Sequence, residues 1–543
     1  MIQIYKKRGI LTFLFFSASY LIVLANLFYV QVIQHTFFSQ LGQKQYHVTT
    51  TSFPPRAPIL DRAGNFLAIN KDSVAAFILP KQLEQQSQLE KFLSKHFPHA
   101  LIRLKSHANA HFMYIQRKLT PEQLRVIQES KIPDIKLLCE PSRFYPLPTA
   151  ATIIGATDID NKGLFGIELQ FDSLLSGCAS SFILEKDARS GLFYFKKETT
   201  SSGSQAQPLQ LTLDSDLQFL AYEALDQTLK QFNAQEGSVI IMDPQTGDIL
   251  AMVNIPNFNP HDLTNIQMES TKNRAITQAY ELGSVFKIFT ALAALEEGVV
   301  TPDELIDCKN TKTTFIDGRK INTVHEAGII PFEQVITTSN NIGIAQVAKR
   351  LDSKIYDHYS KLGFGKKTTL AFPGENKGFI NPVQNWSKQS IISLSYGYEI
   401  SANLLQLARA FCIIANGGYW IEPRITLDAP ACTTKQQLYD PATISIIQDI
   451  LEKTTAKGTA HKARIEGYRV MCKTGTANML ENGHYNPDRN IYTCAGIVEK
   501  NGYKKVIVTF VKEAAQKDLY AATVTAPLFE QISQKMLIKD RII

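Results

Sequence analysis

The sequence has few of the residues that disulfide scaffolds and metal centres need. Its seven cysteines are scattered, odd in number and without a C-x-x-C pair, so they predict neither a disulfide framework nor a zinc knuckle. The eleven histidines form no H-E-x-x-H pattern or comparable ligand set. We therefore expect no metal and no cofactor, and we expect most of the cysteines to be small buried apolar residues.

An excess of charge of one sign is also missing. The formal net charge is only +7 over 543 residues, and no basic cluster is interleaved with aromatic residues, so nucleic acid is not an expected partner. No low-complexity tract stands out, and the composition of 44% hydrophobic and 20% charged residues is that of an ordinary globular protein. The length allows more than one domain.

Charged side chains are absent between Arg8 and Lys44. Within that interval, residues 10–33 are mostly Leu, Ile, Val, Phe and Tyr, and the run is long enough to cross a bilayer as a helix. A cleaved signal peptide would have a shorter apolar core and a small-residue cleavage site, and all-round apolarity disfavours the other alternative, a buried core helix. Because two lysines and Arg8 precede the run, we predict a cytoplasmic tail of residues 1–9, a transmembrane anchor, and export of the rest of the chain.

The remainder divides at a small polar segment, residues 199–207, which is typical of a linker. Residues 34–208 contain no strong catalytic pattern, whereas residues 209–543 contain several. Strand-like segments open and close this second part with helix-like segments between them, which predicts an antiparallel sheet flanked by helices. The expected fold class is α+β.

Periodicity and turn residues predict individual elements. Helices are expected over residues 83–97, 121–130, 215–232 and from 284 to Gly298. Strands are expected over residues 66–69, 209–213, 237–242, 249–253, 468–472, 492–498 and 503–511. The Asn501-Gly502 pair between the last two strands is a strong signal for a type I′ turn.

The first chemical pattern is Ser284 with Lys287, three residues apart at the start of a predicted helix. On a helix the two share one face, and a lysine whose pKa burial has lowered can act as the base for a serine hydroxyl. The helix start also offers exposed N–H groups that favour a developing oxyanion. Taken alone, a helix-capping serine with a surface lysine is the better explanation.

Two further patterns lie downstream. Ser339-Asn340-Asn341 precedes a helical run, where it can supply a proton-relay hydroxyl and a substrate-binding amide, or can simply cap the helix. Lys473-Thr474-Gly475-Thr476 ends a predicted strand. There Gly475 would let a peptide-like substrate approach the strand edge, and Lys473 with the hydroxyls of Thr474 and Thr476 could hold a carboxylate. The alternative is an ordinary glycine between a strand and a loop.

The order Ser-x-x-Lys, S-x-N, K-T-G is a known signature of penicillin-binding proteins and class A β-lactamases. The similarity to class B penicillin-binding proteins extends over nearly the whole chain. The segments that resemble the catalytic half are Asn273–Thr277, Tyr280–Ser284, Leu362–Gly365, Phe372–Glu375, Trp386, Leu405–Ala410 and Ala415–Gly418. Those that resemble the non-catalytic pedestal are Arg56–Arg62, Arg143–Pro146 and Gly163–Glu168.

The resemblance implies a role for each site residue. Ser284 would be the nucleophile and Lys287 its base, while Ser339 would relay a proton to the leaving amine and Asn341 would bind the substrate backbone. Lys473 would lower the local proton affinity. Thr474, Gly475 and Thr476 would bind substrate, and the backbone N–H groups of Ser284 and Thr476 would form the oxyanion hole.

The resemblance also implies an architecture and a function. Residues 209–543 would be the penicillin-binding transpeptidase domain, preceded by an elongated pedestal that contributes to dimerisation or partner binding. The protein would be a serine-type peptidoglycan D,D-transpeptidase of the bacterial inner membrane, most like the cell-division type. Expected partners are stem peptides as D-Ala-D-Ala donor and amine acceptor, β-lactams, the lipid bilayer through residues 10–33, a glycan-polymerising protein and division proteins. The alternatives are an elongation-type transpeptidase, a β-lactam-hydrolysing or β-lactam-sensing enzyme, and a divisome scaffold.

Three departures from the family pattern are visible. Leu282 occupies a position that is usually proline, and Ala57 one that is usually glycine. Asn403-Leu404 stands where a threonine and a proline are expected. None of the three removes a reacting group.

Overall fold

The computed structural model describes residues 2–186, 193–429, 436–481, 483–516 and 519–542. They form two compact units: Met1–Arg56 with Ser176–Gln207, and Ala57–Leu175 with Pro208–Ile543. Helices and mainly antiparallel sheets build the chain, so the predicted α+β class is confirmed. The functional division between residues 208 and 209 stays a prediction.

The first unit begins with the apolar segment. Ile2–Phe28 is α-helical and continues through a π-helical turn, Tyr29–Ile33. Among the described residues, Lys6–Ile33 is the one helical stretch that is long and apolar enough to cross a membrane. None of its most apolar window is buried in the protein, which is not the environment of a core helix.

The rest of the first unit is a helix, His35–Tyr46, and a three-stranded antiparallel sheet. In order of pairing, the strands are His47–Ser52, Ser180–Lys186 and Phe193–Ser201. Residues 199–201 belong to the last strand, with Ser201 opposite Ser181. The linker prediction is therefore wrong for these three residues, because backbone pairing overrides their small, polar composition.

The second unit begins with a five-stranded sheet and several helices, and residues 76–132 of this part form an apolar core of their own. The five strands of this sheet are Leu209–Gln210, Ile59–Leu60, Phe66–Ile78, Met113–Gln116 and Lys136–Phe144. The helices of this part are Gln86–His96, Pro98–Ser106, Pro121–Ser130, Ala151–Ile154, Gly166–Gln170 and Asp172–Ser176, with 3₁₀ turns Pro80–Gln82 and Pro148–Ala150. The predicted helix over 121–130 is confirmed, and a capping box between Thr120 and Gln123 fixes its start.

The large sheet of the second unit has five antiparallel strands. In spatial order they are Ile249–Ile255, Glu236–Met242, Tyr503–Lys512, His484–Lys500 and Arg469–Glu481. The predicted turn between the last two strands is confirmed: the strands pair antiparallel, and Asn501 and Gly502 have φ angles of 50° and 83°, as a type I′ turn requires. The strand Arg469–Glu481 lies at the edge of the sheet, so one side of its backbone is open to pairing.

Helices cover this sheet. One apolar core lies between the sheet and the helices Ser215–Phe232 and Ala521–Lys539, and Leu404–Ala415 also contacts three of the strands. The other helices are Arg274–Thr277, Lys287–Glu296, Phe332–Thr337, Asn341–Leu351, Lys354–Lys361, Ser390–Ser395 and Pro441–Lys457, with 3₁₀ turns Met268–Thr271, Gly283–Phe286, Val383–Asn385 and His461–Ala463. Short two-stranded pairs complete the unit: Ala156–Thr157 with Gly163–Phe165, Leu305–Asp307 with Ile329–Pro331, Thr313–Ile316 with Arg319–Asn322, and Phe379–Ile380 with Ile400–Ser401.

Candidate active site

Ser284 lies in a tight turn that is packed against the edge strand. The 3₁₀ turn Gly283–Phe286 runs directly into the helix Lys287–Glu296. Gly283 has a φ of +59°, and a Cβ there would lie 2.9 Å from the carbonyl oxygen of Thr476. Glycine is needed at this position for both reasons. The turn leaves Ser284 half-buried, and its hydroxyl has no hydrogen-bond partner among the described residues.

Lys287 begins the helix and is fully buried. Its Nζ donates hydrogen bonds to the carbonyl oxygen of Ser339 at 2.5 Å and to the Ser339 Oγ at 3.1 Å. Burial holds the pKa of the Lys287 amine well below its ordinary value, and the nearby positive charge of Lys473 lowers it further. A neutral amine one helical turn from Ser284 has the lone pair that a general base requires.

The sequence left open whether residues 339–341 cap a helix or contribute to the site, and in the structure different residues of this segment do each. The side chain of Asn340 accepts hydrogen bonds from the backbone N–H groups of Ile342 and Gly343 at 2.9 and 3.0 Å, so it caps the helix Asn341–Leu351. Ser339 has a φ of +59°, an uncommon backbone conformation for a residue with a side chain. Capping is done by Asn340, and both the hydroxyl and the carbonyl of Ser339 face Lys287.

Asn341 and Lys473 complete this group of side chains. The Nδ2 of Asn341 donates to the carbonyl of Asn322 at 2.6 Å, and Asn341 lines the same cavity as Ser284. Lys473 is fully buried and donates to the Ser339 Oγ at 3.0 Å and to the Thr474 carbonyl at 2.9 Å. Burial lowers the pKa of Lys473 to about 7. Ser339 is thus the common hydrogen-bond partner of both motif lysines.

The edge strand brings Thr474 and Thr476 to the cavity. The Oγ1 of Thr476 accepts a hydrogen bond from the backbone N–H of Ala521 at 2.9 Å. A Cβ on Gly475 would lie 2.5 Å from the carbonyl oxygen of Leu282 and 2.9 Å from the backbone N of Val285. The sequence suggested that glycine at 475 leaves space for substrate, but in the structure the segment that carries Ser284 fills this space.

These groups surround one cavity of about 630 Å³. Ser284, Ser339, Asn341, Thr474 and Thr476 line it, whereas Lys287 and Lys473 lie behind the lining. The structure therefore brings all three sequence patterns together. Among the described residues, no carboxylate side chain lines the cavity, and no group of three or more His, Cys, Asp or Glu side chains is arranged to hold a metal ion.

Part of the cavity wall comes from residues that no sequence pattern marks. Residues 457–459, His461 and residues 520–523 also line it, together with His325. Gly458, in the middle of residues 457–459, predicts a turn, but no chemical motif in the sequence marks the residues beside it. Their position depends on how the helices Pro441–Lys457 and Ala521–Lys539 pack against the edge strand.

The chain matches two known domain families. Residues 237–534 match the penicillin binding protein transpeptidase domain, and residues 51–211 match the penicillin-binding protein dimerisation domain. The chain belongs to the class B penicillin-binding proteins. The resemblance found in the sequence is confirmed.

Relatives of this class B penicillin-binding protein cover almost its whole length. It is 30% identical over 525 residues to peptidoglycan D,D-transpeptidase FtsI of Escherichia coli K12, with 94% of this chain and 88% of the relative aligned. It is 29% identical over 534 residues to probable peptidoglycan D,D-transpeptidase PbpC of Pseudomonas aeruginosa, with 97% of this chain and 94% of the relative aligned.

Solved structures share the fold. A peptidoglycan synthetase from Bifidobacterium adolescentis superposes with a TM-score of 0.72 at 20% identity, over 91% of this chain and 97% of that one. Penicillin binding protein 3 from Mycobacterium tuberculosis, complexed with aztreonam, superposes with a TM-score of 0.69 at 24% identity, over 91% of this chain and 98% of that one. The predicted architecture of a penicillin-binding domain after a dimerisation domain is therefore confirmed.

The departures from the family pattern have simple local accounts. Asn403 forms a capping box with Gln406, with hydrogen bonds of 2.8 and 3.0 Å, at the start of the helix Leu404–Ala415; asparagine and threonine are both favoured at such a cap. Leu282 is buried with a φ of −85°, and Ala57 lies outside the positive-φ region. Neither backbone position excludes the residue that is present.

Proposed function

We propose that this class B penicillin-binding protein is a peptidoglycan D,D-transpeptidase of cell-division wall synthesis, acting through a serine acyl-enzyme. The 30% identity to FtsI over most of the chain supports the division type rather than the elongation type. The observation that carries the proposed mechanism is the convergence on Ser339: a buried lysine from each of the other two motifs donates to its hydroxyl.

In the proposed acylation, the Ser284 Oγ attacks the carbonyl carbon between the two terminal D-alanines of a stem peptide. A bond forms between Oγ and that carbon, and the hydroxyl proton passes to the neutral amine of Lys287. The peptide C–N bond then breaks, and the leaving amine of D-alanine takes a proton through the Ser339 hydroxyl. The amine of a second stem peptide then attacks the carbonyl carbon of the acyl-enzyme and forms the cross-link. The ester C–O bond to Ser284 breaks, and a proton from the attacking amine restores the Ser284 hydroxyl.

The remaining site residues would stabilise charge and orient the donor. Backbone N–H groups of Ser284 and Thr476 would bind the oxyanion, and each such donor is typically worth about 3 kcal/mol in the transition state. Asn341 would hold the donor backbone through its side-chain amide. A protonated Lys473 would stabilise negative charge that develops near Ser339, and the hydroxyls of Thr474 and Thr476 would donate to the substrate.

The same chemistry predicts covalent capture of β-lactams. A β-lactam resembles the donor terminus and would acylate Ser284, and because its leaving group stays attached the acyl-enzyme would persist. We expect Ser284→Ala to abolish labelling by a fluorescent penicillin, with Ser94→Ala, an exposed serine outside the cavity, as the matched control. Full labelling of the Ser284→Ala protein would refute the assignment.

Acyl-enzyme lifetime separates the proposed function from the hydrolytic alternative. A transpeptidase should hold the penicilloyl group for hours, whereas a β-lactamase should release it in seconds. The match to a dimerisation domain over residues 51–211 supports the transpeptidase. A scaffold role is tested by complementation of cells that lack the wild-type protein. If the Ser284→Ala protein supports division there, catalysis is dispensable for that role.

We further propose that residues 10–33 anchor the protein in the inner membrane and that residues 1–9 are cytoplasmic. The apolar helix and the basic residues before it support this orientation. Residues 34–208 would then be an extracytoplasmic pedestal for division proteins and a glycan-polymerising partner, and residues 209–543 the transpeptidase domain. Accessibility of single introduced cysteines to a membrane-impermeant thiol reagent tests the topology.

A further inference from the structure

The two motif lysines are not positioned to bind a substrate carboxylate. Lys287 and Lys473 are both fully buried, and neither lines the cavity. Their amines already donate to the oxygen atoms of Ser339 and to the Thr474 carbonyl. A donor that ends in D-alanine carries a free carboxylate, as most β-lactams do, so its charge needs another partner in this cavity.

Lys457 supplies such a charge. Among the described residues that line the cavity, the basic side chains are Lys457, His325 and His461. Of these three, lysine has a compact ammonium group with three N–H donors. Lys457 is exposed and has no ion pair or side-chain hydrogen bond with any residue that the structure describes.

The turn after Lys457 is held between the end of the helix Phe332–Thr337 and the edge strand. Lys457 is the last residue of the helix Pro441–Lys457. The backbone N–H of Thr459 donates to the Thr337 carbonyl at 3.3 Å, and the hydroxyls of Thr474 and Thr459 are 3.4 Å apart. A Cβ on Gly458 would lie only 2.4 Å from the Thr337 carbonyl oxygen. These contacts set Lys457 beside the edge strand, where the terminal residue of a donor would lie.

We infer that Lys457 is a specificity residue that recognises the terminal carboxylate of the donor stem peptide and the carboxylate of β-lactams. The inference rests on the proposed function, because it concerns the same cavity. Lys457 provides the charge, and the neighbouring threonine hydroxyls provide uncharged hydrogen bonds. No carboxylate in the described lining competes with a bound anion for this charge.

A purely structural role for Lys457 is also testable. A cation in the last turn of a helix is stabilised by the helix dipole, so removal of the charge could lower stability without affecting recognition. The two roles differ in what they predict for a ligand without a carboxylate. A structural role affects acid and ester ligands equally, whereas recognition affects only the acid.

The experiment compares the second-order acylation rates of the full-length protein by a penicillin and by its methyl ester. We expect Lys457→Gln to lower the rate for the acid about tenfold, the low end for a charge-assisted hydrogen bond because the side chain is exposed. The rate for the ester should stay within twofold. Lys457→Arg should retain most of the preference for the acid. Lys462→Gln is the matched control, because Lys462 is exposed on the same segment and does not line the cavity.

The possible outcomes are distinct. A tenfold fall in the acid-to-ester ratio for Lys457→Gln but not for Lys462→Gln supports the inference. An unchanged ratio overturns it, including the case in which both rates fall together with the unfolding midpoint. If the wild-type protein is acylated by neither compound, the proposed function fails, and the inference fails with it.

Discussion

Replacing Gly475 by alanine tests whether the edge strand must touch the turn that carries Ser284. The added Cβ would lie 2.5 Å from the Leu282 carbonyl oxygen and 2.7 and 2.9 Å from Cγ2 and N of Val285, where ordinary contact begins at 3.4 Å. Two of these atoms are backbone and cannot rotate away. The turn or the strand must therefore shift by roughly 0.9 Å, the difference between 3.4 and 2.5 Å.

Such a shift should affect both stability and catalysis. Overpacking of this kind costs about 1–3 kcal/mol of unfolding free energy, and a displacement of about 1 Å at a reacting group can cost about 100-fold in rate. We expect Gly475→Ala to lower the unfolding midpoint measurably and to reduce acylation by a fluorescent penicillin about 100-fold. Acylation is followed by stopped-flow or gel fluorescence, and unfolding by calorimetry of the same preparations.

The control is Gly328→Ala in the same unit. A Cβ at Gly328 meets no atom within 4 Å, and its φ lies outside the left-handed region, so we expect wild-type stability and acylation. If Gly475 serves only to admit substrate, Gly475→Ala should lose acylation activity while its unfolding midpoint stays unchanged. That result, or wild-type acylation by Gly475→Ala, would refute the packing argument.

Two further predictions concern Ser339 and the lysines. Ser339→Gly and Ser339→Ala both remove the hydroxyl and should both acylate slowly, but the glycine variant should be more stable by about 1 kcal/mol because the backbone is left-handed there; equal unfolding midpoints would contradict this. Acylation should rise with pH as Lys287 loses its proton, since burial lowers the Lys287 pKa. It should fall above about pH 7 as Lys473, whose pKa is lowered to about 7, loses its own; a rate that keeps rising to pH 9 would contradict the assignment of charge to Lys473.

Elements with strong local signals could be predicted from the sequence. Asn501-Gly502 specifies its own turn type, and residues 121–130 carry a proline at the helix start and a capping box. The helix over 215–232 is also as predicted, and the side chain of Asp214 caps its start. Each of these features depends on neighbours within a few residues, so the sequence contains the information directly.

The site could be predicted as a set of residues but not as an arrangement. The three motifs identify the chemistry because it requires those side chains, wherever they lie. What Gly475 packs against depends on a contact between residues 475 and 282, and the attachment of both lysines to Ser339 depends on how two helices and a strand meet. Lys457 carries no motif at all. Tertiary packing decides these points, and short-range patterns do not record it.

The strained backbone of Ser339 has a functional explanation in this arrangement. With φ at +59°, Ser339 directs both its carbonyl and its hydroxyl to Lys287. A neutral Lys287 can donate one N–H to the Ser339 carbonyl. The lone pair of the Lys287 nitrogen then points away from that carbonyl oxygen and is free to accept a proton. Lys473 donates to the same hydroxyl. Two ammonium groups this close in a buried site would repel each other, so the charge of Lys473 favours the neutral form of Lys287. No hydrogen bond joins Lys287 to the Ser284 hydroxyl among the described residues, so the two groups must approach each other before the proton is transferred. The cost of a left-handed serine, about 1–2 kcal/mol, is offset by the hydrogen bonds that Ser339 accepts from the two lysines, because each such bond contributes about 1 kcal/mol.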